Sequence, residues 1–367
     1  MRKNGLEVFA CDLFAGAGGF SLGAHLAGIR VAAAVEWDRH AAETYRSNLI
    51  ETGAIAATLF ENDIARLDPA TVLAEAFEGD SGCDILLGGP PCQGFSAHRI
   101  KDAGIDDPRN RMLLRYFEYI RVLRPAVFLV ENVPGLLWPR HEKYLAKFYS
   151  LARKSGYQVL EPALINARDY GVPQNRKRVF LLGYDPLKVD APEQWPPKPT
   201  HGPPNAGSEL PDWITSSVAF ASAAPKNDPN DVHMKHCDEL VEAFRRTPPN
   251  GGSRKDSGRV LRCHKKYNGH NDVYGRIDPK VPGPTMTTAC INPSKGRFVH
   301  PTRHHGITLR QAARLQSFPD WFVFSGGLMA GGVQVGNAVP VELAKALLEP
   351  IREAVAVSKK SALRAAA

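Results

Sequence analysis

No run of apolar residues in the 367-residue chain approaches the length of a membrane span, so a helical membrane protein is excluded. No Cys-x-x-Cys occurs, and the six cysteines (Cys11, Cys83, Cys92, Cys237, Cys263 and Cys290) are scattered. That argues against a zinc module and a disulfide framework, and fits a reducing cytosol. Nothing repeats at a fixed period, which excludes a solenoid. The first residues lack a signal-peptide core and cleavage site, so a cytoplasmic protein is expected. His304 and His305 are adjacent but lack further ligand spacing, and no metal site is expected. An acidic excess is missing too. Net charge is +8 with a pI near 9.1, which favours a polyanionic partner.

What is present reads as α/β. Strand-like runs at 8–14, 31–37, 85–88 and 126–131 alternate with helical patterns at 20–27, 39–49, 111–123 and 144–154. This is the signature of a Rossmann-like, doubly wound, mostly parallel sheet with crossover helices. A further run at 178–184 is expected to add an edge strand. From 185 to about 300 the chain turns rich in Pro, Gly, His and basic residues without sustained periodicity, and reads as a smaller, irregular domain. Aromatics such as Trp213, Tyr267 and Phe298 supply it with core material. A helix at 308–316, a Gly-rich turn, a final helix at 341–355 and a frayed tail complete the chain. The expected domains are 1–184, 185–300 and a returning segment, 301–367.

Asp12-Leu13-Phe14-Ala15-Gly16-Ala17-Gly18-Gly19-Phe20 follows the first strand and opens the first helix. Glycines there permit a tight turn and close backbone approach to a ligand. The spacing is Gly-x-Gly-Gly rather than the dinucleotide fingerprint. Glu36 ends the second strand, twenty residues after Gly16, where a carboxylate can accept from ribose hydroxyls. Trp37 can pack on a flat base, and Asp63 can accept from an adenine amine. Without a pyrophosphate loop, S-adenosylmethionine is the simpler ligand.

Gly88-Gly89-Pro90-Pro91-Cys92-Gln93-Gly94-Phe95-Ser96 places a cysteine on a stiffened loop after the strand 85–88. Glu131 closes the next strand. Gln174-Asn175-Arg176-Lys177-Arg178 presents alternate residues to one face if extended, so one arginine can reach a substrate while the other serves structure. Beside a sulfonium methyl donor, these groups suit methylation of cytosine at carbon 5. Thiolate addition at carbon 6 makes carbon 5 nucleophilic, and the acid and arginine hold the ring.

These blocks resemble the cytosine-5 DNA methyltransferases of the bacterial restriction–modification or orphan type. The likeness extends through Glu131-Asn132-Val133, Arg310-Gln311-Ala312-Ala313-Arg314-Leu315-Gln316 and Gln334-Val335-Gly336-Asn337-Ala338-Val339-Pro340. It implies Cys92 as nucleophile, Glu131 at ring nitrogen 3, Arg178 at the cytosine carbonyl and Arg176 in support or touching the backbone. It further implies cofactor contacts from Phe14, Gly16, Gly18, Gly19, Glu36, Trp37, Asp63, Ile64, Pro90, Asn337 and Val339. The loop from Ser96 through Arg99 to Arg109 resembles the segment that closes over a flipped base. The middle domain resembles the family's target-recognition domain, with Arg254, Lys255, Arg262, Lys295 and Arg297 as DNA contacts, to which Gln93, Ser96 and Arg99 add theirs from the Cys92 segment. Double-stranded DNA is then the substrate, a cognate restriction endonuclease is a functional rather than physical partner, and a monomer in the bacterial cytosol or nucleoid suffices.

Three other readings are weighed beside this one. The tRNA-methylating branch shares the chemistry, but carries Cys-Phe-Thr shortly after its Glu-Asn-Val block, where this chain has Pro134-Gly135-Leu136-Leu137. A DNA-binding relative without catalysis would have no reason to keep Cys92, Glu131 and Arg178 together. Methylation of a free nucleotide would not call for a basic reading domain.

Overall fold

A computed structural model describes residues 7–77, 82–91, 111–204, 209–258 and 272–366. Among them, eight strands form one sheet: β1 (Phe9–Leu13), β2 (Arg30–Val35), β3 (Thr58–Phe60), β4 (Ile85–Gly88), β5 (Val127–Asn132), β6 (Gln158–Val159), β7 (Ala163–Asn166) and β8 (Lys177–Tyr184). Their order is β3-β2-β1-β4-β5-β8-β6, with β7 also paired to β8. The pairings from β3 through β5 are parallel. The chain winds outward from β1 to β3, then returns to place β4 on the other side of β1. That reversal opens a crevice at the carboxyl ends of β1 and β4, where open α/β sheets bind ligands.

The central strands are apolar on both faces, as strands covered by helices must be. Every residue of β4 and β5 is buried. The connecting helices are α1 (Gly19–Leu26), α2 (Arg39–Tyr45), α3 (Pro69–Ala76), α4 (Arg111–Leu123) and α5 (Glu142–Lys154). Asp38 caps α2 by accepting from the N–H groups of His40 and Ala41, and Asp68 caps α3, which begins at Pro69. Tyr116 of α4 braces the sheet from one side, its hydroxyl donating to the Leu86 carbonyl at 2.8 Å.

The run at 178–184 is a strand, but not at the edge. β8 lies antiparallel between β5 and β6, because the short β6 pairs with its far end. The segment after 316 contains α8 (Gly327–Asn337), where a Gly-rich turn was expected. The final helix, α9, runs from Val341 to Ala366 rather than fraying from Ser358. Lys359 holds its end by donating to the Glu7 carbonyl and the Asp84 carboxylate at 2.7 and 2.8 Å.

By internal packing the chain forms two compact units. The first comprises Met1–Ile165, Lys177–Lys198 and Leu343–Ala367; the second comprises Asn166–Arg176 and Pro199–Glu342. These limits differ from boundaries set by composition. The second unit contains α6 (Asp238–Arg246), α7 (Leu309–Leu315), α8 and several 3-10 turns linked by isolated bridges. With little regular hydrogen bonding, it uses buried arginines as cross-links. Arg276 donates to the carbonyls of Thr247 and His300 at 3.0 and 2.7 Å, and Arg310 forms a fully buried pair with Asp228. Its hydrophobic core includes Phe244, Ile277, Phe298, Phe318, Phe322 and Phe324.

Gly183 on β8 faces the Phe128 ring of β5 so closely that an added methyl group would overlap it. Gly183→Ala is expected to destabilise the protein by about 1–3 kcal/mol through overpacking. A urea midpoint unchanged from wild type would contradict this packing.

Candidate active site

The crevice is lined from β1 outward. After β1 the backbone enters left-handed geometry at Phe14 (φ 59°) and Gly16 (φ 57°), then at Gly18 (φ 96°) before α1 begins. Gly18 needs its missing side chain because the ring of Tyr45 and the methyl of Leu49 fill that space. Gly16 is different: nothing lies within 4 Å of where its Cβ would be. That space is open to close approach from outside the loop.

Glu36, just past β2, reaches back over this loop. Its Oε2 accepts from Gly16 N–H at 2.8 Å, and its Oε1 accepts from Trp37 and Asp38 N–H at 2.9 and 2.8 Å. A carboxylate offers about four acceptor sites, so about one remains for an outside hydroxyl. Burial pushes the Glu36 carboxyl up, the three N–H donors oppose it, and the Asp38 charge adds to it. Trp37 beside it is 75% exposed and presents a large flat surface. Asp63 and the buried Ile64 follow β3, where the Asp63 carboxylate accepts from Ala65 N–H.

β4 ends at Gly88 and continues through Gly89 to Pro90, whose carbonyl accepts from Asn132 Nδ2 at 3.3 Å. Asn132 is thus a clamp from β5 to the proline loop, a role its place in the Glu131-Asn132-Val133 block did not disclose. Glu131, just before it, points to the opposite face of β5 and is 9% exposed. In the β5–β8 register Glu131 stands opposite Phe180, so Arg178, two residues away on β8, is its diagonal neighbour on the same face. Arg178 Nε meets Glu131 Oε1 at 2.8 Å. Glu131 Oε2 lies 3.3 Å from where a Gly89 Cβ would sit, so the glycine leaves that oxygen uncrowded.

A family model described as C-5 cytosine-specific DNA methylase matches residues 9–353. The chain belongs to that family. It is 33% identical to the type II methyltransferase M1.HphI of Haemophilus parahaemolyticus over 341 residues, covering 93% of this chain and 85% of the relative. It is 34% identical to the type II methyltransferase M.Sau96I of Staphylococcus aureus over 357 residues, 94% of this chain and 75% of the relative. Among solved structures, a prophage-encoded E. coli protein described as a DNA modification methyltransferase superposes with a TM-score of 0.73. That match covers 95% of this chain and 99% of the other at 26% identity.

For this C-5 cytosine methylase family member, the crevice gathers Phe14, Gly16, Gly18, Gly19, Glu36, Trp37, Asp63, Ile64 and Pro90 along the ends of β1 to β4, with Glu131 and Arg178 beyond. Cys92, Gln93, Ser96, Arg99, Arg262 and the loop from Ser96 to Arg109 lie outside the described residues. Arg176 belongs to the second unit. Its buried guanidinium donates to the carbonyls of Met286, Gly336 and Ala338 at 2.8–3.0 Å. Asn337 and Val339 flank Ala338 there; the asparagine is exposed and the valine buried. Of the basic residues in that unit, Lys255 and Lys295 are exposed, while Arg254 is buried. Arg297 donates to the carbonyls of Gly251 and Arg276 and to Asp272. His304 faces Arg276 and His305 stacks on His233 with ring centres 3.9 Å apart. Among the described residues no group of three or more His, Cys, Asp or Glu could hold a metal ion. No helix among them is long and apolar enough to cross a membrane.

Behind the glycine loop runs a chain of buried hydroxyls. Tyr45 donates to Ser21 Oγ at 3.0 Å, and Ser21 donates to Asp12 Oδ2 at 2.6 Å. Burial pushes the Asp12 carboxyl up to about 7, the Ser21 hydroxyl opposes the shift, and the Glu36 charge adds to it. The folded state therefore holds this proton more tightly than the unfolded chain, whose aspartate titrates near about 3.9. The resulting stability is full below about pH 4 and is lost as pH rises through about 7. Asp12→Asn should keep the hydrogen bond from Ser21 and flatten the fall in Tm between about pH 5 and about pH 8 relative to wild type. Parallel Tm curves would contradict this.

Proposed function

We propose that Cys92, Glu131 and Arg178 carry out the family's reaction, methylation of cytosine at carbon 5 in duplex DNA. The observation that carries this reading is the order of the strand ends. The loop leading to Cys92 leaves β4, with the glycine loop on β1 to one side and the Glu131–Arg178 pair on β5 and β8 to the other. Strands stand about 5 Å apart, so β1 and β5 lie about 10 Å apart, a span that a cofactor and a base can close by approaching each other over the end of β4.

S-adenosylmethionine fits the first side. Gly16 leaves space for close approach, Glu36 keeps an acceptor for a ribose hydroxyl, Trp37 offers a ring for adenine, and Asp63 an acceptor for its amine. Phe14, Gly18 and Gly19 shape the loop, Ile64 and Pro90 line it, and Asn337 and Val339 are assigned to the methionine end. When bound, this cofactor supplies an electrophilic methyl group.

Cytosine is a weak carbon nucleophile while its ring stays conjugated. Addition of the Cys92 thiolate to carbon 6 breaks that conjugation and gives carbon 5 enamine character. The Glu131 carboxyl engages ring nitrogen 3 and the exocyclic amine through the Oε2 side, and Arg178 engages the ring carbonyl. Because β5 and β8 hold both groups before the base arrives, little reorganisation is needed as charge develops. Once carbon 5 bears the methyl, a base removes its proton, the carbon 5–carbon 6 double bond re-forms and the thiolate leaves. Carbon 6 is inaccessible inside a duplex, so the base must leave the stack.

The second unit serves target recognition in this reading. Exposed Lys255 and Lys295 contact phosphates, Arg254 and Arg297 shape the loops, and Gln93, Ser96, Arg99 and Arg262 are assigned to DNA as well. Arg176 organises the segment around Ala338. The protein would work as a monomer in the bacterial cytosol or nucleoid, paired in function with a restriction endonuclease where one exists.

Incubation with methyl-labelled S-adenosylmethionine is expected to place label in 5-methylcytosine of duplex DNA and none in tRNA. Glu131→Gln should lower kcat by about a hundredfold or more, with cofactor affinity within about twofold of wild type. Label in tRNA alone would overturn the DNA assignment, and a wild-type rate in the variant would remove Glu131 from the chemistry.

A further inference from the structure

Three residues after Glu131 the chain leaves the carboxyl edge of the sheet in two 3-10 turns, Pro134–Leu137 and Pro139–His141, and then becomes α5. The turns bury Leu136 and His141 and leave Leu137, Trp138, Pro139 and Arg140 exposed. Arg140 sits over the Trp138 indole with its guanidinium carbon 4.6 Å from the ring centre, and its Nε donates to His141 Nε2 at 2.9 Å. Burial, with the Arg140 charge adding, lowers the His141 pKa, so the ring stays a neutral acceptor. The two Nη groups of Arg140 have no hydrogen-bond partner among the described residues. An arginine stacked on an aromatic ring and held through Nε presents its remaining donors in a fixed orientation.

The basic face continues onto α5. Lys143 and Lys147 stand one turn apart and are exposed, while Phe148 and Ala152 turn inward. Glu142 is the one acid between 138 and 147. None of the ion pairs among the described residues uses Arg140, Lys143 or Lys147. Among the described residues these three cations face no carboxylate, which leaves their charge for an outside anion.

We propose that Trp138, Arg140, Lys143 and Lys147 form a duplex-DNA contact surface on the first unit, gripping the backbone beside the recess that holds Glu131. The proposal rests on the DNA-substrate reading above. Arg140 suits a phosphate because its fork is already oriented; Lys143 and Lys147 act as point charges on neighbouring phosphates. Trp138 adds a face for a sugar or an unstacked base next to the extruded one. The surface carries no base-edge code, so it adds affinity without choosing sequence.

The test is binding of the full chain to a fluorescent duplex of mixed sequence, measured by anisotropy across a salt series. Each lost phosphate contact lowers the slope of log K against log salt by about 0.9. Replacing Arg140, Lys143 and Lys147 together by Ala should therefore lower it by about 3, and weaken binding tenfold or more at about 0.1 M salt. Trp138→Ala should weaken binding severalfold with little change in slope, and Arg140→Lys should restore part of the loss seen with Arg140→Ala. Cofactor binding should match wild type in every variant, and each is compared at a temperature well below its own Tm. A triple variant with wild-type affinity and slope would overturn the surface. A wild type that binds no duplex would instead overturn the DNA reading beneath it.

Discussion

The pairing of Glu131 with Arg178 depends on one constraint: β8 runs antiparallel to β5. Reversal brings the beginning of β8 to the end of β5, so an arginine at one strand's start meets a carboxylate at the other's finish. A parallel β8 would put Arg178 at the far edge of the sheet. On the same edge, Asn132 ties β5 to Pro90, and Gly89 leaves room beside Glu131 Oε2. Acid, arginine and proline loop are therefore set by register and by one missing side chain, before any ligand arrives.

The remainder of the first unit keeps that edge rigid. Tyr116 would collide with any side chain at Gly88 and bonds the Leu86 carbonyl, so helix, strand end and loop start are locked as a group. The glycine loop on β1 is backed by Asp12, Ser21 and Tyr45 and faced by Glu36, with open space at Gly16. Buried polar groups that are fully paired make such a loop specific in shape. The second unit solves a different problem. It has few regular hydrogen bonds, so Gln174, Arg176, Arg276 and Arg310 carry backbone carbonyls and a buried carboxylate on long side chains.

Much of the first unit was legible in the sequence. β4 and α4 have the expected limits, since short apolar runs bounded by glycine and strong amphipathic periods leave little ambiguity. Direction and neighbourhood are another matter. The apolar run at 178–184 announces a strand but not that its partners lie on both sides, because β6 contributes two residues and leaves no pattern. α8 was hidden by its glycines. Gly331, Gly332 and Gly336 read as a turn, yet each lies against Leu309, Ile291 or the Thr287–Thr288 backbone where a Cβ would not fit. Tertiary packing outweighs helix propensity there. The Gln174-to-Arg178 block shows the same limit. Alternation suggested one arginine for a substrate and one for structure but not where the unit boundary falls, which is between Arg176 and Lys177. Trp138 and Arg140 left no motif at all; only their exposure and stacking mark them.

In the proposed mechanism a cysteine thiolate adds to the cytosine ring, and that cysteine is Cys92. Fluorine at carbon 5 blocks the last elimination, so duplex DNA carrying 5-fluorocytosine should trap the adduct when S-adenosylmethionine is present. Mass analysis of the digested complex is predicted to find the nucleotide on the peptide containing Cys92, and Cys92→Ala should give no complex. An adduct on Cys11, Cys83, Cys237, Cys263 or Cys290, or methyl transfer with no covalent species at all, would contradict the account.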